Sequence, residues 1–189
     1  MTDGVNEHGV QGSMNVVPNE KGDNTTIAPT QASEDKVCIL MLIRYILDRY
    51  DNVATALDYI QKHVTLYHDS GILSLGYNLH FIFTDKTKDV YIVEFVDGEM
   101  RIHKNKKNYI TNFHISDVNF NSNGSVYTPA DVEDGNLPTE KNDITEHGQG
   151  LERFNLINKK YEKSSLFNLL KELKYTRCYK SQKNPSNPY

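Results

Sequence analysis

The side chains with the most reactive chemistry in this sequence are two cysteines, Cys38 and Cys178. A cysteine acts as a nucleophile through its thiolate, which forms in accessible and electropositive surroundings. Cys178 has basic neighbours in the chain: Lys174, Arg177 and Lys180. Cys38 lies in an apolar pattern, and we interpret it as an inert core thiol. Two cysteines this far apart cannot build a disulfide framework, so we expect a reducing, cytoplasmic setting.

Metal and nucleic-acid chemistry have little support in the sequence. The seven histidines form neither an HExxH motif nor a close pair: His8, His63, His68, His80, His103, His114 and His147. The acids before Gly135 lack the spacing of a calcium-binding loop, and the basic tail around Arg177 lacks aromatic stacking platforms. We therefore expect no metal, no cofactor and no nucleic-acid partner.

Two asparagines and one arginine are the remaining polar candidates. Asn15 and Asn112 each lie among apolar residues of an expected strand, and Arg153 lies in an expected helix. Taken alone, the asparagines are typical of turn or cap residues, and the arginine of a solvated side chain or a structural ion pair. Their chemistry therefore depends on the elements that position them.

The first element of the chain resembles the interior of a domain. An Asp3-Gly4 turn leads directly into apolar residues suited to a buried strand: Val10, Met14, Val16 and Val17. First segments are usually loosely held, which makes this pattern unusual for a start. A polar loop over Pro18–Ser33 follows.

Two helices are expected next. Apolar residues recur at helical spacing on more than one side between Glu34 and Tyr50, with Ser33 as a candidate N-cap. This pattern predicts a helix buried on more than one flank. A second helix has Asp51 or Asn52 as its cap and carries one apolar stripe: Val53, Leu57, Ile60 and Val64.

From Leu79 onwards the period of the apolar residues falls to two, which is typical of strands. The pattern predicts an Asp97-Gly98 hairpin turn and four strands: Leu79–Phe83, Val90–Val96, Met100–His103 and Tyr109–Phe113. Helices followed by an antiparallel meander indicate an α+β fold.

The rest of the sequence predicts a long polar loop over His114–Gly150, helices over Leu151–Tyr161 and Ser165–Leu173, and a tail over 179–189. We expect a single domain over residues 1–189, since this length can bury a core. The net charge of −4 gives no general attraction to nucleic acid or anionic lipid. Neither a membrane span nor a secretory signal is apparent.

The sequence resembles the choloylglycine hydrolase and penicillin V acylase family, the linear-amide cysteine hydrolases of the N-terminal-nucleophile superfamily. The resemblance runs from about Thr2 to Tyr179 and lies in segments that keep the family's order: "DGVNEHG", "SMNVVP", "LMLIRYILDRYDNVATALDYI", "YNLHFIFTDKTKDVYIVEF", "YITNF" and "GLERFNLI". It implies a partial four-layer αββα sandwich and cleavage of a small-molecule amide, with bile-salt conjugates or acyl-penicillins as substrate types. The related acyl-coenzyme A:6-aminopenicillanic acid acyltransferases have similar sequences in the helix and strand segments. Acyl transfer is therefore an alternative to hydrolysis.

The resemblance also implies roles for the three polar candidates. Asn15 matches the asparagine whose main-chain N–H stabilises the tetrahedral oxyanion, and Asn112 matches the asparagine whose side-chain amide donates to the same oxygen. Arg153 matches the arginine that completes the polar site.

The family's nucleophile is an N-terminal cysteine, held by an arginine and an aspartate ahead of the "DGVNEHG" turn, and residues 1–189 show no counterpart. Thr2 aligns with an interior turn and is not a substitute. We therefore expect a fragment of a cysteine amidohydrolase, inactive alone. The alternative is a non-catalytic binding or self-associating module. A homo-oligomer is expected in both cases, because a sandwich without its first hairpin exposes strand edges.

Overall fold

The computed structural model describes residues 2–18, 26–32, 35–68, 77–105, 109–115, 119–120 and 126–127, together with 154 and 157. The chain divides into two compact units, Met1–Ser116 and Asp117–Tyr189. The single domain expected over residues 1–189 stays a prediction.

The first unit opens with a hairpin whose turn lies later than Asp3-Gly4. Both of those residues belong to β1 (Asp3–Val5), which pairs antiparallel with β2 (Gln11–Pro18). The turn begins at Asn6, whose carbonyl accepts the Gly9 N–H at 3.0 Å. Gly9 has a φ of 86°, which favours glycine. The predicted Asp3-Gly4 turn was wrong because the Asn6 side chain, by accepting N–H groups two and four residues on, selects the later turn.

The long helix predicted between Glu34 and Tyr50 is in part a strand. After β3 (Thr26–Ile27) the chain forms β4 (Asp35–Cys38), a 3₁₀ turn over Ile39–Met41 and then α1 (Leu42–Leu47). The strand forms because β4 pairs in parallel with a later strand. A short apolar run does not distinguish a buried strand from a helix by periodicity. The candidate cap Ser33 lies outside the described residues.

The second helix matches its prediction except at its end. α2 covers Val53–His63, and the Asn52 side chain caps it by accepting the Thr55 N–H at 2.9 Å. Val64, expected in the helical stripe, instead starts β5 (Val64–Tyr67). β5 is the central strand of a three-stranded sheet in the order β3-β5-β4. This pairing explains why the helix ends at His63.

The first three strands of the predicted antiparallel meander are confirmed. β6 (Tyr77–Thr84), β7 (Val90–Val96) and β8 (Glu99–Asn105) extend the first hairpin into a five-stranded sheet in the order β1-β2-β6-β7-β8. Asp97 and Gly98 both have positive φ angles, 56° and 75°, as a tight hairpin between β7 and β8 requires.

The two faces of this sheet differ in chemistry. One face packs on α1 and α2 and forms the core with aromatic residues of β6 and β7: Phe81, Phe83 and Phe95. We call the opposite face the Glu94 face, because it carries the buried Glu94 of β7. Val10 and Val17 are buried, as expected of the first segment, whereas Val16 is 43% exposed.

The fourth predicted strand, Tyr109–Phe113, is not a strand. The segment 109–115 is irregular, yet Ile110, Thr111 and Phe113 are buried. Side-chain contacts with the sheet, described below, hold it where a strand ladder was expected.

In the second unit, two short strands lie inside the predicted 114–150 loop. β9 (Asn119–Phe120) and β10 (Val126–Tyr127) pair antiparallel. Phe154 and Ile157 are helical and buried, in agreement with the helix expected over Leu151–Tyr161. The helix predicted over Ser165–Leu173 and the tail lie outside the described residues.

Candidate active site

Asn15 lies on β2, beyond the end of β1. The β1–β2 pairing ends near Ser13, and the Met14 N–H donates to the Thr2 carbonyl at 2.9 Å. Because N–H groups alternate in direction along a strand, the N–H of Asn15 points to the other side, where β6 pairs Asn15 with His80. The side chain of Asn15 therefore shares the Glu94 face with that of His80.

Asn112 lies at the centre of a tight turn, closed by a 2.9 Å hydrogen bond from the Phe113 N–H to the Thr111 carbonyl. Its side-chain Nδ2 donates to the Val16 carbonyl at 2.7 Å. In the expected strand Tyr109–Phe113, alternation would orient this side chain; in the structure the turn and its buried neighbours do so.

The structure thus brings two of the predicted site positions together. Asn112 binds the residue that follows Asn15, although Asn112 and Val16 are 96 positions apart in the sequence. A carboxamide nitrogen carries two N–H groups, so this bond occupies one of them. Arg153 lies outside the described residues, and its role stays a prediction.

Two of the three other candidate nucleophiles, Cys38 and Thr2, lie in the described part of the chain. Cys38 is a free, half-buried thiol on β4. Thr2 is exposed, and its hydroxyl donates to the Asp3 carboxylate at 3.2 Å. Cys178 lies outside the described residues.

A buried cluster that sequence reasoning missed lies on the same face of the sheet. Glu94 on β7 is fully buried and has three histidines around its carboxylate, namely His80 on β6, His103 on β8 and His114 in segment 109–115. The ring nitrogens lie 3.8 Å, 3.4 Å and 3.7 Å from the carboxylate oxygens, respectively. The Ile115 N–H donates to Glu94 Oε1 at 2.6 Å, the shortest of these contacts. A charged residue inside the apolar run Val90–Val96 was the signal that could have found this cluster.

The electrostatics of this cluster favour a carboxylate anion. Burial alone would raise the pKa of Glu94, but its contacts with the three histidines and the Ile115 N–H outweigh burial and lower it far below its usual range. Burial lowers the pKa of His80, while Glu94 acts in the opposite direction. The cluster therefore holds a buried negative charge on the face that Asn15 shares, with His80 of β6 between them.

Within the described ranges, no group of three or more His, Cys, Asp or Glu side chains could hold a metal ion. Nor is any helix in that part of the chain long and apolar enough to cross a membrane.

A family model matches residues 1–187, almost the whole chain, and its description is acyl-coenzyme A:6-aminopenicillanic acid acyl-transferase. The chain belongs to this family. Its membership agrees with the resemblance found in the motifs, since the acyltransferases, choloylglycine hydrolases and penicillin acylases are related. A comparison with curated protein sequences gives no significant match.

Two solved structures of one enzyme show the same fold. Two variants of conjugated bile acid hydrolase from Clostridium perfringens superpose with TM-scores of 0.52 and 0.50, at 11% and 12% sequence identity. Each alignment covers 92% of this chain but only 58% and 59% of those chains. Penicillin V acylase from Agrobacterium tumefaciens has a TM-score of 0.47 at 15% identity, covering 92% of this chain and 52% of that chain. The chain is an α+β protein of the N-terminal-nucleophile hydrolase fold, and it spans a little over half the length of these structures.

Proposed function

We propose that this chain supplies part of the acyl-transfer site of a cysteine amidohydrolase, with the side-chain amide of Asn112 as a donor to the oxyanion. One observation carries this proposal: the 2.7 Å bond from Asn112 to the Val16 carbonyl, which fixes the amide against the strand of Asn15. A donor held in place before the reaction stabilises developing charge better than one that must reorganise.

In the proposed reaction, a thiolate attacks the carbonyl carbon of a small-molecule amide and forms a tetrahedral oxyanion. The resemblance implies that this thiolate belongs to an N-terminal cysteine, as in the family. The Asn112 amide donates to the oxyanion, which collapses to a thioester. The cysteine's own α-amino group, which took the thiol proton, passes that proton to the amide nitrogen, and the amine leaves. One such donor contributes roughly 2.7–4 kcal/mol to the transition state.

The role expected of Asn15 would require its main-chain N–H to change partners. Its N–H points towards β6, so donation to the oxyanion would require this group to leave the β2–β6 ladder. The Asn15 assignment therefore needs its own test, separate from that of Asn112.

The thioester has two fates, which separate hydrolysis from acyl transfer. Water gives a hydrolase, as in the bile acid hydrolase with the same fold, and an amine gives an acyltransferase, as in the family's description. Hydrolysis of a linear amide of the bile-salt or penicillin V type is our proposal, and transfer of the acyl group to an added amine is the competing outcome. The proposal includes a cytoplasmic location, supported by the free thiol of Cys38.

Mass spectrometry of the acylated protein tests this proposal. The polypeptide of residues 1–189 is expected to hydrolyse glycocholate, taurocholate and penicillin V no faster than buffer does and to form no adduct. The same chain joined behind a segment that begins with the nucleophilic cysteine is expected to gain an acyl adduct on that cysteine. Turnover by residues 1–189 that survives Cys38→Ser and Cys178→Ser together would contradict the proposal.

A self-associating module is the second candidate function, and the exposed sheet edge favours it. β1 forms one edge of the five-stranded sheet, and its Val5 is 64% exposed. Edge strands with exposed apolar residues pair with other strands, including those of a second copy. The oligomeric state of the chain in solution tests this candidate.

A further inference from the structure

We propose that Glu94 is a positioning residue for Asn112: its buried carboxylate fixes the end of segment 109–115 to the sheet and thereby holds the Asn112 turn against Val16. The consequence for catalysis rests on the proposed function of Asn112. The positioning itself does not, and it can be measured independently.

The Glu94 carboxylate contacts the end of segment 109–115 directly. Glu94 Oε1 accepts the Ile115 N–H at 2.6 Å and lies 3.7 Å from His114 Nδ1. Ile115 is only three residues from Asn112, a stretch that spans at most about 10 Å. The segment is irregular, so no strand ladder holds it in place. A shift of the Ile115 main chain is therefore transmitted to the turn that carries the Asn112 amide.

The buried charge of Glu94 requires compensation. An ionised carboxylate inside a protein is costly unless charges or hydrogen bonds compensate it. Glu94 is fully buried, and the groups facing it come from every neighbouring element: His80 from β6, His103 from β8, and His114 with the Ile115 N–H from segment 109–115. Two of these contacts, those of His114 and the Ile115 N–H, therefore both compensate the charge and tie the segment to the sheet.

Other charged side chains near the cluster pair elsewhere. Arg101 lies opposite Glu94 on β8, but its guanidinium binds Asp97 at 2.8 Å and approaches Glu99 at 4.0 Å. His103 is 30% exposed, whereas His80 and His114 are nearly or fully buried.

Nuclear magnetic resonance of the ¹⁵N-labelled chain tests the positioning directly. In Glu94→Ala we expect the Asn112 side-chain amide resonances to move towards unstructured values and the Ile115 amide to exchange at least ten times faster. Glu94→Gln keeps an acceptor for the Ile115 N–H but loses the charge that faces the histidines, so an intermediate displacement is expected. Glu99→Gln is the matched control, because this β8 carboxylate is 75% exposed, and it should leave Asn112 unchanged.

Rate measurements then connect positioning with chemistry. They use the cysteine-led protein, which is this chain joined behind a segment that begins with the nucleophilic cysteine. Asn112→Ala and Glu94→Gln are each expected to lower the acylation rate, the latter about tenfold with KM changed less than twofold. The double variant should be no slower than Asn112→Ala alone, because residues that act through one group are not additive. In Glu94→Gln, faster hydrogen exchange of the Ile115 amide should accompany the lower acylation rate.

The two proposals fail in different ways. Asn112 resonances that stay at their original positions in a folded Glu94→Ala protein would overturn the positioning proposal. If Glu94→Ala does not fold, unchanged Asn112 resonances in Glu94→Gln would do the same. Displaced resonances without any rate effect of Asn112→Ala would instead uphold the positioning and overturn the proposed function.

Discussion

At the scale of single residues, the buried imidazole of His80 makes the stability of the fold depend on pH. Burial lowers the pKa of His80 below its value in the unfolded chain. As the pH falls through about 6.5, the unfolded state takes up this proton first, so the free energy of unfolding decreases, by at most about 1.4 kcal/mol per pH unit. We expect urea denaturation to show this decrease between pH 6.5 and 5.5.

His80→Gln is expected to flatten that part of the pH profile, whereas His8→Gln, at a half-exposed side chain, serves as the matched control. The pKa of Glu94 is lowered, so its contribution is lost only at more acidic pH, below its unfolded value of about 4.3. Identical profiles for His80→Gln and the unmodified protein would show that the histidine is not the titrating group.

At the scale of elements, one aspartate joins the β6–β7 turn to the start of α2. Asp85 Oδ2 accepts the Val53 N–H at 2.7 Å, and Oδ1 accepts the main chain and hydroxyl of Thr87. Burial would raise the pKa of Asp85, but the hydrogen bonds from Thr87 and Val53 outweigh burial and lower it. Asp85→Ala leaves a buried N–H at Val53 without this acceptor, and we expect a loss of about 2 kcal/mol.

Urea denaturation at two pH values checks the Asp85 prediction. Because its folded pKa is lowered, the Asp85 contribution is present above the unfolded pKa of about 3.9 and is lost as the pH falls through the folded pKa. The difference between the two proteins should therefore be large at pH 7 and shrink below pH 4. Asn52→Ala, which removes the neighbouring cap of α2, is the control, with a smaller cost of about 1 kcal/mol. A constant difference at both pH values would contradict the electrostatic part of this account.

The elements that could be predicted from the sequence are those with local signals. The meander follows from alternating apolar residues and the Asp97-Gly98 turn, and α2 follows from one apolar stripe behind Asn52. β4 was missed because its identity as a strand depends on pairing with β5, almost thirty residues later. Tyr109–Phe113 was predicted as a strand because its composition suits one, whereas contacts with the Glu94 side chain and the Val16 carbonyl determine the conformation of segment 109–115.

The sequence predicted one part of the candidate site, the two asparagines, and missed the other, the cluster around Glu94. The family's motifs placed Asn15 and Asn112 in one site, and the structure brings their segments into contact. The cluster around Glu94 was not found because its members come from three strands and one irregular segment, at spacings that no sequence motif encodes. Only the register of the sheet makes His80 and Glu94 neighbours.

At the scale of the whole molecule, the exposed edge predicts self-association. β1 has three residues and β2 has eight, so part of β2 extends past its neighbour. We expect a dimer or larger assembly, with the Met1–Val17 segment or the Leu79–Phe113 meander at the contact. Light scattering after size exclusion at micromolar concentration measures this, and Val5→Lys should shift the assembly towards monomer. Met41→Lys, at a 49% exposed residue outside this sheet, is the control. A monodisperse monomer that binds no hydrophobic dye would count against the expectation.

The most direct test of the central claim is the acylation rate of Asn112 variants, measured with their melting temperatures in the cysteine-led protein. If the amide donates to the oxyanion, Asn112→Ala should lower the rate about 10²–10³-fold with a much smaller effect on substrate binding. Asn112→Asp should be slower still, because a carboxylate would face the developing negative charge. A lower melting temperature with an unchanged rate per folded molecule would contradict the claim and leave Asn112 as a turn residue bonded to Val16.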